Sequence, residues 1–358
     1  AIARVRAKIG VVVADDTEVG RRLIARALDV DPDFEIVEAV ADGRAAVEAA
    51  ERRRPRLVLL DVLLPRLDAP EATRTIMQRA PTRVVILTRD ADPRSATAAL
   101  EATRAGALDV LLPPAFGDPM AAPAVTFRDR LKELAEVPVV RRWYAEARRS
   151  ERPSEARAAR PADDARPAGA KMVAICGSTG GPAVLAGLLA RLAPHVGGAS
   201  VLIVQHVLEG FSAAFAEWLA EAARVPVRVA KDGDALEPGA IAIAPDGRHL
   251  AVASRTRVSV VDSPPVEAHR PSGTILFESV ARTFGAEAIG VILTGMGRDG
   301  VAGLRTLRAS GGLVLAQSPE TCVVPGMPAA AIEESLAHLV VSPEDMADEI
   351  VARLARPG

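Results

Sequence analysis

The sequence has 358 residues, of which 49% are hydrophobic and 25% charged. This length favours two or three domains, and the balance is typical of folded chains and excludes a mainly disordered one. The formal net charge of −2 gives no indication of nucleic-acid binding, and we expect none. No apolar run approaches the roughly 18 residues that a membrane span needs, and no leader pattern is visible, so we expect a cytoplasmic protein without membrane insertion. Two cysteines, Cys176 and Cys322, cannot form a disulfide framework and are expected to be reduced.

The first third of the chain alternates short runs of Val, Ile and Leu with helical patterns. The predicted strands cover residues 9–14, 34–40, 57–60, 84–87 and 108–111, and the predicted helices cover 18–28, 43–53, 70–79, 94–105 and 127–135. This alternation predicts a parallel sheet with helices on both faces, an architecture in which ligands collect at the carboxyl ends of the strands.

Acidic side chains follow two of these strands. Asp15 and Asp16 come after the first strand and Asp61 after the third, while Thr88 follows the fourth. Three crowded carboxylates repel one another unless a cation joins them, and an all-oxygen set of ligands suits Mg²⁺. The alternative is that these residues are helix caps and a solvated surface.

This part of the chain, residues 8–136, resembles a response-regulator receiver domain with a flavodoxin-like fold. The resemblance is carried by Asp15-Asp16-Thr17, Leu59-Leu60-Asp61-Val62-Leu63-Leu64-Pro65-Arg66-Leu67-Asp68, Thr88 and Gly106-Ala107-Leu108-Asp109. It implies that Asp61 is phosphorylated, with a sensor histidine kinase as phosphodonor, and that Thr88 responds to the phosphoryl group. It also implies that Asp15, Asp16, Asp61 and the backbone carbonyl of Leu63 hold Mg²⁺.

Three positions depart from the pattern of that family. Pro113-Pro114 stands where receivers have a Lys-Pro pair, Val110 replaces an aromatic residue, and Ala69 replaces a glycine. Proline cannot supply the positive charge that the lysine brings to the phosphoryl oxygens. We therefore expect a receiver that binds Mg²⁺ but is phosphorylated poorly or signals atypically.

Residues 137–170 change character, with repeated Arg, Ala and Pro and little that a core could bury. We interpret them as an extended linker, although docking to an acidic partner remains an alternative. The predicted organisation is a first domain over 1–136, the linker over 137–170 and a second domain over 171–358.

Alternation resumes after Lys171. The predicted strands cover 172–176, 201–205, 227–230, 241–244, 289–293 and 313–316, with a hairpin of 249–253 and 258–261; the helices cover 182–192, 211–223, 274–284, 301–310 and 343–354. This pattern predicts a second doubly wound domain with an antiparallel hairpin insertion.

Three reactive side chains follow strands of this second domain. Ser178 lies in the glycine-rich stretch Gly177-Ser178-Thr179-Gly180-Gly181, His206 follows the strand 201–205, and Asp299 follows the strand 289–293. A serine becomes a nucleophile when a histidine removes its proton and an aspartate orients that histidine. The Ser-His-Asp order and Cys176 in place of the first glycine of G-x-S-x-G exclude an ordinary α/β-hydrolase.

The second domain resembles the catalytic domain of the chemotaxis protein-glutamate methylesterase family, with a Rossmann-like three-layer fold. The motifs are Ile175-Cys-Gly-Ser-Thr-Gly-Gly181, Val204-Gln-His206, His269-Arg-Pro-Ser272, Val291-Ile-Leu-Thr-Gly-Met-Gly-Arg-Asp-Gly300 and Cys322-Val-Val-Pro-Gly-Met-Pro328. The resemblance implies that Ser178 is the nucleophile, His206 the base and Asp299 its partner, with the N–H of Met296 as an oxyanion donor. Thr179, His269 and Arg270 are expected near the site.

The resemblance implies hydrolysis of glutamate γ-methyl esters on methyl-accepting chemoreceptors, with deamidation of receptor glutamines as a related reaction. No cofactor is expected for catalysis, and we expect a monomer. Two other classes are open alternatives: a receiver joined to a non-catalytic ligand- or nucleotide-binding module, and a DNA-binding regulator, for which no basic helix-turn-helix pattern is found. The remaining histidines, His195, His249 and His338, are interpreted as surface or packing residues, and Met327 as core.

Overall fold

The structure is a computed structural model that describes residues 8–90, 92–115, 117–139 and 171–354. The described residues form two compact units, one on either side of residues 140–170. Most of the predicted linker therefore lies outside the described residues. Within the described ranges, no helix has both the length and the apolar character needed to cross a bilayer.

The first unit alternates five strands with five helices. Its elements are β1 Ile9–Ala14, α1 Glu18–Asp29, β2 Phe34–Val40, α2 Gly43–Arg53, β3 Leu57–Asp61, α3 Ala69–Arg79, β4 Arg83–Leu87, α4 Pro93–Ala105, β5 Asp109–Leu111 and α5 Ala122–Glu136. Four of the helices begin after a residue whose side chain accepts a hydrogen bond from the first turn: Thr17, Asp42, Asp68 and Asp92. These caps satisfy backbone N–H groups that would otherwise have no partner, so the starts of these helices are determined by residues that can be read from the sequence.

The five strands are all parallel, in the order β2-β1-β3-β4-β5. This is the flavodoxin-like order predicted for the unit. Every residue of β3 is buried, as expected for a strand covered on both faces. Asp61, the last residue of β3, therefore lies at the sheet edge where Asp15 follows β1.

The helix α5 begins five residues before the predicted position 127. The sequence prediction treated the Ala- and Pro-containing stretch before Phe127 as loop, but Pro123 lies in the first turn, where a helix tolerates proline. The unit also extends past the predicted boundary at residue 136, because Val137 is buried and its carbonyl accepts a hydrogen bond from Arg83 Nε at 2.6 Å.

The second unit contains nine of the described strands and six of the described helices. Its elements are β6 Met172–Gly177, α6 Gly181–Leu192, β7 Ser200–Gln205, α7 Ser212–Ala223, β8 Arg228–Val229, β9 Ile241–Ile243, β10 His249–Ser254, β11 Arg257–Val261, α8 Gly273–Phe284, β12 Ala288–Ile292, α9 Val301–Ala309, β13 Leu313–Gln317, α10 Gly326–Glu333, β14 Leu339–Val341 and α11 Pro343–Leu354.

Seven strands form one parallel sheet in the order β14-β13-β12-β6-β7-β9-β8, and β10 and β11 form a separate antiparallel hairpin. The predicted doubly wound domain with a hairpin insertion is thus confirmed. β6 is central in the sheet, with β12 and β7 on its two sides, so the loops that carry the predicted site residues leave the same edge.

Two elements of this unit were missed by the sequence prediction, α10 and β14. No helix was predicted over this proline-containing stretch, yet Pro325, Gly326 and Pro328 lie at the start of α10, where neither proline removes a hydrogen bond that the helix needs. The short strand β14 lies at the edge of the sheet and is only partly buried, so its apolar run is too short for a clear strand pattern.

Candidate active site

The register of two neighbouring strands brings Ser178 and His206 together. β6 pairs with β7 in parallel, with Gly177 opposite Gln205, the last residue of each strand. Ser178 and His206 are the next residues, and the backbone N–H of His206 donates to the carbonyl of Gly177 at 3.0 Å. The predicted nucleophile and the predicted base therefore leave the sheet side by side.

Asp299 completes this group from the other side of β6. Its Oδ2 lies 2.9 Å from Nε2 of His206, whose side chain is 13% exposed. No group among the described residues bonds Nδ1 of His206, which is buried. In the common serine-protease arrangement the aspartate bonds Nδ1 and the serine faces Nε2. Here Asp299 bonds Nε2 instead, so an ionised Asp299 fixes the proton on Nε2 and leaves the lone pair on Nδ1.

Asp299 is fully buried at the N-terminus of α8. Its Oδ1 accepts from Ser272 Oγ at 2.6 Å, and its Oδ2 accepts from the backbone N–H of Gly273 at 2.7 Å. Burial alone would raise the pKa of Asp299, but the hydrogen bond and charge of His206, followed by the Ser272 and Gly273 donors, lower it to about 2. The carboxylate is therefore charged at neutral pH, and the helix start adds a favourable dipole.

Gly273 explains how the carboxylate comes so close to the helix. A Cβ atom at this position would overlap Sγ of Cys176, which lies 4.0 Å from Oδ2 of Asp299.

Cys176, His206 and Asp299 carry atoms of the kind that bind metal ions, and these atoms lie within 4.8 Å of one another. Burial raises the pKa of the Cys176 thiol well above its usual range, so the thiolate form that a metal prefers is disfavoured.

Gln205 is a site residue whose role sequence reasoning missed, although it was quoted within the Val204–His206 motif. Its side chain is buried, and Nε2 donates to the carbonyl of Ser178 at 2.8 Å and to the carbonyl of His206 at 3.1 Å. One amide group thus ties the backbone of the predicted nucleophile to that of the predicted base. A buried polar residue at the end of an apolar strand was the available signal.

The loop after β12 packs directly against Ser178. The backbone N–H of Ser178 donates to the carbonyl of Thr294 at 3.0 Å, and Thr294 Oγ1 donates to the carbonyl of Thr179 at 3.0 Å. A Cβ atom on Gly295 would lie 2.6 Å from Cβ of Ser178, so only glycine allows this approach. Met296, the predicted oxyanion donor, is the next residue, and Thr179 is buried in the turn.

His269 lies against His206, and Arg270 is the next residue along the chain. The rings of His269 and His206 stack with centroids 4.1 Å apart and planes 14° from parallel. Arg270 lines a cavity of about 100 Å³. The other residues that line it are Gln205, Val207, Glu209, Ser212, Asp246, Gly247 and Pro271. Gln205 and Val207, the two chain neighbours of His206, thus both line this polar cavity.

The remaining histidines and Met327 have the packing or surface positions that the sequence indicated. His249 is fully buried, with Nδ1 accepting from the N–H of Ser272 at 3.1 Å, so it supports the loop that carries the Asp299 donors. Nδ1 of His338 accepts from the N–H of Val314 at 2.9 Å, His195 is exposed, and Met327 is fully buried.

In the first unit, an arginine joins the two buried aspartates. Arg89 Nη2 lies 2.8 Å from Oδ2 of Asp15, and its Nη1 lies 3.0 Å from Oδ2 of Asp61. The other oxygen of Asp15 accepts from the hydroxyl of Thr17 at 2.6 Å, and the other oxygen of Asp61 accepts from the N–H of Leu63 at 2.9 Å. Sequence reasoning missed Arg89, although its position next to Thr88 was a signal.

Burial, reinforced by the charges of Asp15 and Asp16, raises the pKa of Asp61. Burial alone would also raise the pKa of Asp15. The hydrogen bonds from Thr17 and Arg89 outweigh burial, so the pKa of Asp15 lies below its ordinary value. The guanidinium of Arg89 offsets part of the repulsion between the two carboxylates.

Among the described residues, the other side chains predicted for this site do not join the hydrogen bonds of Asp15 and Asp61. Asp16 is exposed, and Thr88 is buried with its hydroxyl donating to the carbonyl of Asp90 at 2.8 Å. Leu63 is 41% exposed beside Asp61, and Pro113 follows β5. The oxygen-only donor set fits Mg²⁺ in its chemistry. Among the described residues, however, the three aspartates do not converge within 4.8 Å as a ready-made ligand cluster would.

The second unit carries Ser178, His206 and Asp299 at the carboxyl edge of an open parallel sheet. The first unit is a separate α/β unit with aspartates at the carboxyl edge of its own sheet. These features define a serine hydrolase joined to a receiver-type domain. The family model for CheB methylesterase matches residues 173–350, and the family model for the response regulator receiver domain matches residues 11–116.

Whole-length relatives agree with both matches. The chain is 43% identical over 353 residues to "protein-glutamate methylesterase/protein-glutamine glutaminase 3" of Anaeromyxobacter dehalogenans, covering 97% of this chain and 100% of that protein. It is 42% identical to the corresponding protein 4 of Myxococcus xanthus, covering 97% and 98%. The crystal structure of the Thermotoga maritima CheB methylesterase catalytic domain matches with 33% identity and a TM-score of 0.49, covering 51% of this chain and 98% of that one. The chain belongs to the protein-glutamate methylesterase/protein-glutamine glutaminase family.

Proposed function

We propose that the second unit hydrolyses glutamate γ-methyl esters on methyl-accepting chemoreceptors, and deamidates receptor glutamines, in the adaptation of a chemotaxis-type pathway. The observation that carries this proposal is the 2.9 Å contact between His206 and Asp299, which leaves the lone pair of the buried Nδ1 of His206 without a donor among the described residues, one residue past the strand end that lies beside Ser178. The names of the full-length relatives supply the substrate class.

In the proposed reaction, Ser178 Oγ attacks the ester carbonyl while Nδ1 of His206 takes its proton. Asp299 stabilises the imidazolium that forms, and its low pKa keeps it ionised throughout. The N–H of Met296 and the glycine-rich turn hold the oxyanion. His206 then gives its proton to the departing methoxide, so that methanol leaves; with a glutamine substrate, ammonia leaves. Water releases the carboxylate from the acyl-enzyme by the same steps.

The polar cavity lined by Gln205 and Val207 suits a receptor surface better than a simple apolar ester. Arg270, Glu209 and Asp246 line it, so both signs of charge are present. We propose that Arg270 contacts carboxylates that neighbour the target glutamate, and that the stacked ring of His269 limits the orientation of His206. These contacts would favour a charged protein substrate over a small ester.

The first unit is proposed to regulate this activity as a receiver. Asp61 is the phospho-acceptor, with a sensor histidine kinase as donor, and Thr88 is the residue that responds. Asp15, Asp16, Asp61 and the carbonyl of Leu63 would hold Mg²⁺, whose charge would offset that of the carboxylates and the phosphoryl oxygens. Asp61 fits the acceptor role because it ends β3 with one oxygen that, among the described residues, is bonded to Arg89 alone.

Methanol release from methylated receptor, measured for the full chain and for Ser178→Ala, tests the esterase function. We expect no release above background from the variant, because no nucleophile remains. Ser178→Ala should also no longer be labelled by a fluorophosphonate. The control is Ser212→Ala, which replaces a serine that lines the polar cavity and should still be labelled. Near-normal turnover in Ser178→Ala would exclude the proposed mechanism. Acetyl phosphate labelling of the full chain and of Asp61→Asn tests the receiver separately.

A further inference from the structure

We propose that Arg89 is a built-in cation of the receiver site, which occupies the space between Asp15 and Asp61 and which Mg²⁺ must displace in order to bind. This inference rests on the proposed function of the receiver domain. It concerns a residue that the family pattern does not point to, since the lysine position of that pattern holds Pro113.

The first step is geometric. Arg89 donates one N–H to Oδ2 of each aspartate, at 2.8 Å to Asp15 and 3.0 Å to Asp61. A guanidinium is a planar fork, so it bridges two carboxylates in the way that a divalent cation would. The two oxygens it bonds are those that Thr17 and Leu63 leave open. Mg²⁺ bound between the two aspartates would use the same oxygens, so the two cations would compete for them.

The second step is electrostatic. Asp15 is fully buried and Asp61 is 8% exposed, and two such carboxylates repel one another strongly unless a positive charge lies between them. Arg21, a second arginine close to Asp15, is engaged at the backbone, because its Nη1 donates to the carbonyl of Asp15 at 2.6 Å. Arg89 is thus the cation placed on the carboxylate oxygens themselves.

The third step concerns release. The side chain of Arg89 is 38% exposed, whereas the carboxylate of Asp15 is 1% exposed. The aspartates are fixed by their other hydrogen bonds, but the arginine can turn into solvent without opening the core. Binding of Mg²⁺ therefore costs the two Arg89 contacts and leaves the carboxylates in place. A receiver of this kind requires more Mg²⁺ than one without the arginine.

Calorimetric titration of the full chain with MgCl₂, at constant ionic strength, tests the inference. We expect Arg89→Ala and Arg89→Gln to bind Mg²⁺ about tenfold more tightly than the unchanged chain, because two partly exposed ion pairs no longer have to break. Arg21→Ala is the matched control, since it removes an arginine that contacts Asp15 only at its carbonyl. Its affinity for Mg²⁺ should stay close to that of the unchanged chain.

Equal affinity in the Arg89 variants and the unchanged chain would overturn the inference while leaving the proposed magnesium site intact. The same increase in Arg21→Ala would also overturn it, because the effect would then be one of general charge. An absence of Mg²⁺ binding in every variant, Arg89→Ala included, would overturn the proposed magnesium site as well. Asp61→Asn should abolish binding in each background, which ties the heat signal to this site.

Discussion

Replacing Gln205 by leucine tests whether this side chain positions the active-site residues, as distinct from stabilising the fold. Nε2 of Gln205 donates to the carbonyls of Ser178 and His206, and the side chain is 4% exposed. Leucine fills a similar volume but donates no hydrogen bond. The Ser178 carbonyl keeps a second donor, the N–H of Gly181 at 2.8 Å, so the loss falls mainly on His206.

A buried acceptor that loses its donor costs about 1–3 kcal/mol, so we expect Gln205→Leu to lose about 2 kcal/mol of unfolding free energy. The effect on catalysis should be larger. A shift of about 1 Å between reacting groups can reduce the rate about 100-fold, and Gln205 is the side chain that ties their backbones together. We therefore expect kcat to fall about 100-fold, with a smaller change in KM. Gln205→Met, which keeps the length of the side chain and removes the donor, should behave similarly.

The assay is methanol release from methylated receptor, run with urea unfolding of the same samples. Leu202→Ala is the control, because Leu202 is buried in the same strand and its truncation costs about 2–5 kcal/mol without touching either carbonyl. The control should lose stability and keep kcat under folding conditions. If both Gln205 variants lose stability but retain kcat within about threefold, a difference below 1 kcal/mol in the barrier, the positioning role is refuted.

Two further predictions concern titrating groups of the same unit. Asp299→Asn should reduce activity by about 10⁴ and destabilise the fold by about 2 kcal/mol at pH 7. Because folding lowers the pKa of Asp299 from 3.8 to about 2, its contribution to stability is complete above about pH 4 and is lost as the pH falls towards 2, which acid unfolding of both proteins measures. Burial raises the pKa of Cys176 well above its usual range and that of Cys322 to about 12. Both thiols should therefore resist alkylation at pH 8 until the protein unfolds, and rapid native-state labelling would contradict this.

Much of the architecture follows from local patterns in the sequence. Alternation of apolar runs with capped helical patterns predicted both parallel sheets, and the ends of β1, β2 and α11 agree with the structure. Strand ends determined the site in the same way, since Ser178 and His206 each follow a buried strand. These features are predictable because strand burial and helix capping depend on residues close in sequence.

The tertiary structure decided which side chains meet. Arg89 and Asp15 are 74 positions apart, and only the packing of the β4 and β1 ends places one on the other. Asp299 and Ser272 meet at the start of α8. The hydrogen bond between Asp299 and Nε2 distinguishes the two ring nitrogens of His206. Such hydrogen bonds depend on rotamers and on distances of a few tenths of an ångström, which no periodicity in the sequence encodes. The sequence by itself therefore determined the folds and the reactive residues, while their charge partners and orientation were decided by packing.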